Sequence, residues 1–154
     1  MLATWFYRNA IRPGLFLLDP EDAHDLVANL LPASVPLLSI GKETIWGDKV
    51  QAALPRLVTT LAKNVLANPV GVAAGLDKNA KFVSLWPQFG FGFVEVGSVT
   101  AAPSLGNERP RLFRLPQDQA IINRMGLNGD GAPAIAKRLA EAGRIQSLGP
   151  IALN

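Results

Sequence analysis

Lys78, Ser98 and Asn154 each come directly or shortly after an apolar stretch of chain, where side chains often do chemistry. A lysine in such a turn can act as a fixed cation beside an electron-rich ring or a carboxylate. Hydroxyl and amide groups can bind the edges of a ligand, and a glycine such as Gly75 lets a flat ligand approach the backbone. A solvated loop lysine and an ordinary turn glycine are the alternative interpretation of the same residues.

A second cluster, Asn123–Asn128 (NRMGLN), combines amides, a cation and a glycine within a few residues. An amide offers a donor and an acceptor together, which suits a ring that carries both NH and carbonyl groups.

Four arginines lie within residues 109–124, three before this cluster and one inside it, and could suggest RNA binding. Such arginines more often pair with local acids, here Glu108 and Asp118, or bind one anionic ligand. The arginines are Arg109, Arg111, Arg114 and Arg124.

The composition excludes several kinds of site. The 154 residues contain no cysteine and one histidine, His24, which excludes disulfides, thiolate metal sites, cysteine nucleophiles and multi-histidine metal sites in this chain. A formal charge of +3 is too small to indicate a nucleic-acid partner by itself. Neither of the glycine-rich phosphate-binding motifs, GxGxxG and GxxxxGK(S/T), occurs after a predicted strand. The sequence shows no membrane-spanning run and no secretory signal peptide.

The polar clusters are predicted to be positioned by alternating strands and helices. Strands are predicted over residues 69–74, 93–100 and 150–153, with one helix of about ten residues ending near Phe89 and another over residues 131–142. This order indicates a parallel sheet with its chemistry at the carboxyl ends of the strands. Two hairpins are also predicted, over 56–60 with 63–66 and over 111–115 with 120–123.

The first part of the chain is predicted to be helical. One helix covers residues 2–11, and Pro13 and Gly14 then break or bend the chain. A second helix begins at Asp19 and Pro20 and ends at Pro32. Residues 40–55 have the composition of a loop. The apolar faces of these helices suit either a cover for a core or an anchor at a membrane surface, and the pattern leaves both interpretations open.

Five segments resemble class 2, quinone-dependent dihydroorotate dehydrogenases, and the resemblance extends from about Arg12 to Asn154. In chain order they are residues 18–24 (LDPEDAH), 68–79 (NPVGVAAGLDKN), 90–100 (GFGFVEVGSVT), 106–115 (GNERPRLFRL) and 122–128 (INRMGLN). Several long motifs in the family's order make the resemblance specific.

The resemblance implies the N-terminal part of a (β/α)8 TIM barrel, with about three of its eight strands, preceded by a small helical arm. Residues 1–55 would form the arm and a linker. The arm would associate with the membrane and form the mouth of a quinone tunnel. Residues 56–154 would form the first β/α units of an FMN-binding barrel. The family oxidises dihydroorotate to orotate in pyrimidine biosynthesis, with a base taking the C5 proton and FMN accepting hydride, and passes the electrons to a membrane quinone.

The family's functional residues carry over to matching positions of this sequence. FMN would be held by Ala74, Gly75, Leu76, Asp77, Lys78, Ser98 and Asn154. The substrate would be held by Lys78, Asn123, Arg124, Met125, Gly126 and Leu127, the last in place of the family's frequent Phe. His24 and Arg114 would lie near the inner end of the quinone tunnel. No metal is expected, and the catalytic serine is expected beyond Asn154.

The resemblance also implies a peripheral enzyme on the cytoplasmic side of a bacterial inner membrane, with no nucleic-acid partner. Without the serine base, the chain is expected to be inactive alone. Two alternatives are another FMN barrel acting on pyrimidines, similar to a dihydrouridine synthase, and a non-enzymatic module at a membrane surface.

Overall fold

The computed structural model describes residues 2–34, 36, 54–61, 63–143 and 150–154. Two compact units make up the chain. Unit 1 comprises Met1–Leu31 and Asn107–Gly126, and unit 2 comprises Pro32–Gly106 and Leu127–Asn154. The predicted loop over residues 40–55 lies almost entirely outside the described residues, and the predicted domain boundary at residue 55 stays a prediction.

The helices and strands have the following bounds in chain order. The helices are α1 (Leu2–Phe6), α2 (Arg12–Phe16), α3 (residues 20–34) and α4 (Ala132–Ala142), with a π-helical segment at Tyr7–Ile11 and 3-10 turns at Leu54–Leu57 and Trp86–Phe89. The strands are β1 (Thr59–Leu61), β2 (Asn64–Leu66), β3 (Gly71–Val72), β4 (Phe93–Val96), β5 (Leu112–Leu115), β6 (Ala120–Asn123) and β7 (Ile151–Leu153).

The first helical stretch of unit 1 continues through Pro13 and Gly14, so the chain is not broken there. The Tyr7–Ile11 segment is π-helical, and the N–H of Arg12 reaches back to the carbonyl of Tyr7. Pro13 then lies in the first turn of α2. A proline is tolerated there because the missing N–H has no partner within the helix at that position.

Helix α3 begins as predicted. The Asp19 side chain caps it, since its Oδ1 accepts the Glu21 N–H at 2.8 Å. The predicted end at Pro32 is wrong, because helical backbone extends to residue 34. The proline costs the helix one donor without ending it.

Unit 1 is completed by the antiparallel pair β5–β6, which confirms the second predicted hairpin. The register joins Phe113 to Ile122 and Leu115 to Ala120. Residues 116–119 form the turn, as their composition predicts.

Unit 2 contains the predicted parallel sheet, in the order β3–β4–β7. Its register joins Val72 to Val94 and Val96 to Leu153. The central strand alternates half-buried and buried residues, and Val94 and Val96 occupy the buried positions with Ile135 of α4 also buried. The strands are shorter than predicted, but their order is confirmed. The hairpin β1–β2 is also confirmed, with Thr60 opposite Val65.

The predicted helix ending near Phe89 is wrong. Residues 77–85 form turns, and only Trp86–Phe89 is helical, as a 3-10 turn. Pro87 explains the difference, because a proline inside a helix removes a donor and clashes with the preceding turn, and it disfavours helical backbone at the residue before it. Gly90 ends the 3-10 turn in the left-handed conformation, at φ 88°.

Among the described residues, no helix is both long and apolar enough to cross a membrane. The described part of the chain also contains no group of acidic, histidine or cysteine side chains arranged for a metal ion.

Candidate functional site

The carboxyl ends of β3, β4 and β7 meet at one edge of the unit 2 sheet. The Gly75 N–H donates to the Gly97 carbonyl at 3.0 Å, which joins the loop after β3 to the loop after β4. The Val99 N–H donates to the Asn154 carbonyl at 2.8 Å, which joins the loop after β4 to the residue after β7. The edge of a parallel sheet at its carboxyl ends is where ligands bind in this class of fold.

Gly75 and Gly97 differ in the space around them. A Cβ at Gly97 would lie 2.5 Å from the Asn154 carbonyl oxygen, so close packing of the backbone requires glycine there. A Cβ at Gly75 would meet nothing within 4 Å, although its φ of 97° is one that side chains rarely adopt. The backbone at Gly75 therefore faces open space, as a position that admits a flat ligand should.

Ser98 and Asn154 form one hydrogen-bonded group with Glu95. Ser98 Oγ donates to Asn154 Oδ1 at 2.7 Å, and Asn154 Nδ2 donates to Glu95 Oε1 at 3.0 Å. The contacts orient the Asn154 amide at the end of β7. Sequence reasoning missed Glu95, although a carboxylate at a half-buried position of an otherwise apolar strand is the signal that could have found it.

Lys78 lies in the turn after β3, half-buried, and its ammonium donates to Asn128 Oδ1 at 2.8 Å. This contact gives the lysine a defined position, unlike a solvated loop residue. Asn128 was part of the cluster examined above but was not assigned a role, and it is the residue that directs Lys78.

Asp77 is only 2% exposed, and its carboxylate is bound within the protein. Oδ1 accepts the Lys81 N–H, and Oδ2 accepts the Phe82 N–H and the Trp86 Nε1–H, at 2.8 to 3.1 Å. These bonds shape the turn that carries Lys78. Ala74 is half-buried and Leu76 exposed in the same loop.

A second set of contacts ties this turn to α4. Asn79 Oδ1 accepts the Asp130 N–H at 2.9 Å, and Arg138 donates to the Asn79 carbonyl at 3.0 Å. Arg138 also pairs with the Asp130 carboxylate at 2.6 Å. The turn is therefore held from both of its ends.

The predicted substrate residues 123–126 belong to unit 1 and Leu127 to unit 2. Asn107 holds the loop of unit 1: its N–H donates to the Met125 carbonyl at 3.0 Å and its side-chain amide to the Arg124 carbonyl at 2.7 Å. A Cβ at Gly126 would lie 2.7 Å from Asn107, so glycine is required at this contact. Leu127 adopts φ 55°, which is uncommon for leucine, and its side chain is exposed.

The two residues predicted near a quinone tunnel both lie in unit 1. Arg114 donates to the Leu18 carbonyl at 2.8 Å, and its guanidinium lies 4.6 Å from the centre of the Phe16 ring. His24 is exposed, and its Nδ1 lies 3.2 Å from an Asp25 carboxylate oxygen.

Arg109 and Arg111 pair with acidic residues of α3. We had expected them to pair with Glu108 and Asp118, which are nearer in the sequence. Arg111 donates from two nitrogens to both oxygens of Glu21, and Arg109 pairs with Glu21 at 3.1 Å and with Asp22 at 2.6 Å. The hydrogen bond to Arg111 is the main cause that keeps the pKa of Glu21 below its ordinary value of 4.5, against the effect of burial. Sequence reasoning missed Glu21, because its partner lies 90 residues away.

Comparison with known proteins identifies the family. A family model described as Dihydroorotate dehydrogenase matches residues 56–153. A protein of Gloeobacter violaceus named Dihydroorotate dehydrogenase (quinone) is 52% identical over 149 residues, which are 96% of this chain and 40% of that protein. The protein of the same name from Deinococcus deserti is 48% identical over 147 residues, covering 90% of this chain and 38% of its own length.

The fold is also similar to that of a solved dihydroorotate dehydrogenase. The ligand-free enzyme of Eimeria tenella matches with a TM-score of 0.67 at 35% identity, over 88% of this chain and 36% of that chain. The chain thus spans about two fifths of the length of the relatives that it matches.

Proposed function

Because this chain belongs to the dihydroorotate dehydrogenase family, we propose that it forms part of a quinone-dependent dihydroorotate dehydrogenase. The whole enzyme would oxidise dihydroorotate to orotate for pyrimidine biosynthesis and pass the electrons to a membrane quinone. The observation that carries the proposal is the position of Lys78, bound to Asn128 beside the open backbone of Gly75 at the carboxyl ends of the strands.

The residues at these strand ends fit FMN. The open space at Gly75 suits the flat ring system. The lysine ammonium and the second amide N–H of Asn154 are donors for its heteroatoms, and the Ser98 hydroxyl oxygen is an acceptor. When bound, FMN supplies a two-electron acceptor for the oxidation. Ala74, Leu76 and Lys78 would line it, while Asp77 would act from beneath the loop by holding its shape.

The loop formed by Asn123 to Gly126 would bind the substrate ring, together with Leu127 and Lys78. Dihydroorotate carries a carboxylate, amide N–H groups and carbonyls, which match a cation and amides. The base that takes the substrate proton would come from a serine beyond Asn154. Residues 1–154 alone are proposed to be inactive, because the remaining strands are needed to enclose the substrate and the serine base is needed to take its proton.

The arm would place the enzyme at the membrane as a peripheral protein, on the cytoplasmic side in a bacterial cell. Most of its large apolar side chains are exposed within unit 1, and the alanines Ala23 and Ala28 are the buried apolar residues of α3. The exposed residues of the arm are Trp5, Phe6, Tyr7, Ile11, Phe16, Leu17, Leu18, Leu26, Val27 and Leu30. An apolar helical surface flanked by Arg8 and Arg12 is typical of proteins that lie in the membrane interface, and His24 and Arg114 would direct the quinone.

A chimera tests the proposal. Residues 1–154 replace the corresponding part of the Gloeobacter violaceus protein, which is 52% identical over the matched region. The chimera is expected to bind FMN and reduce quinone with dihydroorotate, whereas residues 1–154 alone are not. Quinone reduction by the isolated chain would contradict its proposed inactivity. A chimera that binds FMN but acts only on uridine in RNA would favour the dihydrouridine synthase alternative.

Lys78→Ala in that chimera is expected to slow flavin reduction by dihydroorotate at least about 100-fold, because an oriented cation is lost from the site. The thermal unfolding temperature should stay unchanged, since Lys78 lies in a polar turn. Lys81→Ala is the matched control, as its exposed side chain lies three residues further along the same turn. Equal reduction rates in the two variants would refute the role of Lys78. Vesicle binding without any bound flavin would favour the membrane-surface module.

A further inference from the structure

The ion pair between Glu21 of α3 and Arg111 at the start of the hairpin is the most buried polar contact of unit 1. The two residues are 8% and 9% exposed. Arg111 Nε donates to Glu21 Oε2 at 2.9 Å, and Nη2 donates to Oε1 at 2.5 Å. A two-point contact between a guanidinium and a carboxylate fixes the orientation of the arginine as well as its position.

The orientation matters because the Arg111 side chain also binds Asn107, the residue that holds the loop that we assign to the substrate. The third guanidinium nitrogen, Nη1, donates to the Asn107 carbonyl at 2.9 Å. The Arg111 carbonyl accepts the Arg124 N–H at 2.8 Å. Arg111 therefore connects Glu21 of the arm to Asn107 through its side chain and to Arg124 of the loop through its carbonyl.

Asn107 completes the connection. Its N–H and its side-chain amide bind the carbonyls of Met125 and Arg124, and Gly126 packs against it too closely for any side chain. A rotation of the Asn107 peptide would disturb all three contacts at once. The backbone of residues 124–126 is thus set by Asn107, and Asn107 is held by Arg111.

We propose that Glu21 is a positioning residue: through Arg111 and Asn107 it sets the conformation of the substrate loop from the arm. The inference rests on the proposed function in that the loop is assigned to the substrate. It links the part of the chain that meets the membrane to the part that binds the pyrimidine ring.

Amide hydrogen exchange of the 154-residue chain, measured by NMR, tests the proposal without cofactor or substrate. Glu21→Gln is expected to speed exchange at the Arg124 and Asn107 N–H groups roughly 10-fold or more, with a smaller change in the β5–β6 ladder. The matched control is Asp22→Asn, since Asp22 is the next residue of α3 and binds Arg109. It should leave the Arg124 and Asn107 N–H groups within about 2-fold of wild type.

A purely structural role for Glu21 gives a different result. In that case all amides of the hairpin exchange faster by the same factor, and the proposal is overturned. If Glu21→Gln unfolds unit 1, Arg111→Lys replaces it as the test. A lysine keeps the charge opposite Glu21 but cannot bind both carboxylate oxygens and the Asn107 carbonyl together. The same selective increase at Arg124 and Asn107 is expected, and a uniform one overturns the proposal.

Orotate titration separates this inference from the proposed function. Orotate is expected to shift the side-chain amide resonance of Asn123 in the chimera. If it shifts no resonance of residues 123–127 while the selective exchange effect is present, the substrate assignment fails and the positioning by Glu21 stands.

Discussion

The buried residues of unit 2 are mainly apolar, whereas the buried residues of unit 1 include both members of an ion pair. In unit 2, Val72, Val94, Val96 and Ile135 form the core around the parallel sheet. In unit 1, Glu21 and Arg111 are buried with Ala23 and Ala28, while most large apolar side chains of the arm are exposed.

The difference shows how one chain can combine a unit built on apolar burial with a unit held by an ion pair. Unit 2 gains its stability from apolar burial, which does not depend directly on pH or salt. Unit 1 leaves its large apolar groups exposed and relies on charged and polar contacts between the arm and the hairpin. Its stability should therefore respond to the charge of a few side chains.

The largest effect is expected from a cavity in the core of unit 2. Ile135→Ala should lower the free energy of unfolding by about 3 kcal/mol, since Ile135 is only 2% exposed. Ile121→Ala in the hairpin of unit 1 is the matched control, because this isoleucine is 64% exposed. Its effect should stay within about 0.5 kcal/mol. Urea unfolding measures both, and equal losses would contradict the contrast between the units.

An intermediate effect is expected from the pH dependence of unit 1. Glu21 has a lowered pKa in the folded chain, so its carboxylate stabilises unit 1 above pH 4.5, and this stability is lost as the pH falls through the folded-state pKa. At pH 7, Glu21→Gln should lower the free energy of local opening at the Arg124 and Asn107 N–H groups by about 2 kcal/mol, because a charge-assisted hydrogen bond is lost.

The same variant should flatten the fall in the protection of those two N–H groups as the pH drops below 4.5, measured by residue-resolved amide exchange in NMR. Asp118→Asn in the exposed hairpin turn serves as the control and should leave the pH profile as in wild type. A profile that is equally steep in Glu21→Gln and wild type would show that other groups account for it.

The smallest effect is expected at the turn that carries Lys78. Trp86→Phe keeps an aromatic ring but removes the Nε1–H bond to Asp77, so the free energy of unfolding should fall by about 1 kcal/mol. Trp5→Phe in the exposed part of the arm should change it by less than about 0.5 kcal/mol. No difference between the two variants would mean that the indole bond adds nothing to the turn.

Local patterns predicted the elements that depend on neighbouring residues. Alternation around Pro116 and Asp118 predicted the hairpin, and the apolar runs predicted the order β3–β4–β7, which the structure confirms. The helix predicted to end near Phe89 is wrong because the prediction followed the spacing of the apolar residues and gave too little weight to Pro87. At Pro13, which was predicted to break or bend the chain, no break occurs, since helical backbone continues from the π-helical segment into α2.

The sequence by itself determined the family, because the motifs that carry it are continuous along the chain. Only the tertiary structure decided that Arg111 binds Glu21, that Lys78 binds Asn128 and that Asp77 is turned into the protein. The paired residues are 90 and 50 positions apart in the first two contacts. At such separations the partner of a charge is chosen by how the elements pack, which no local pattern records.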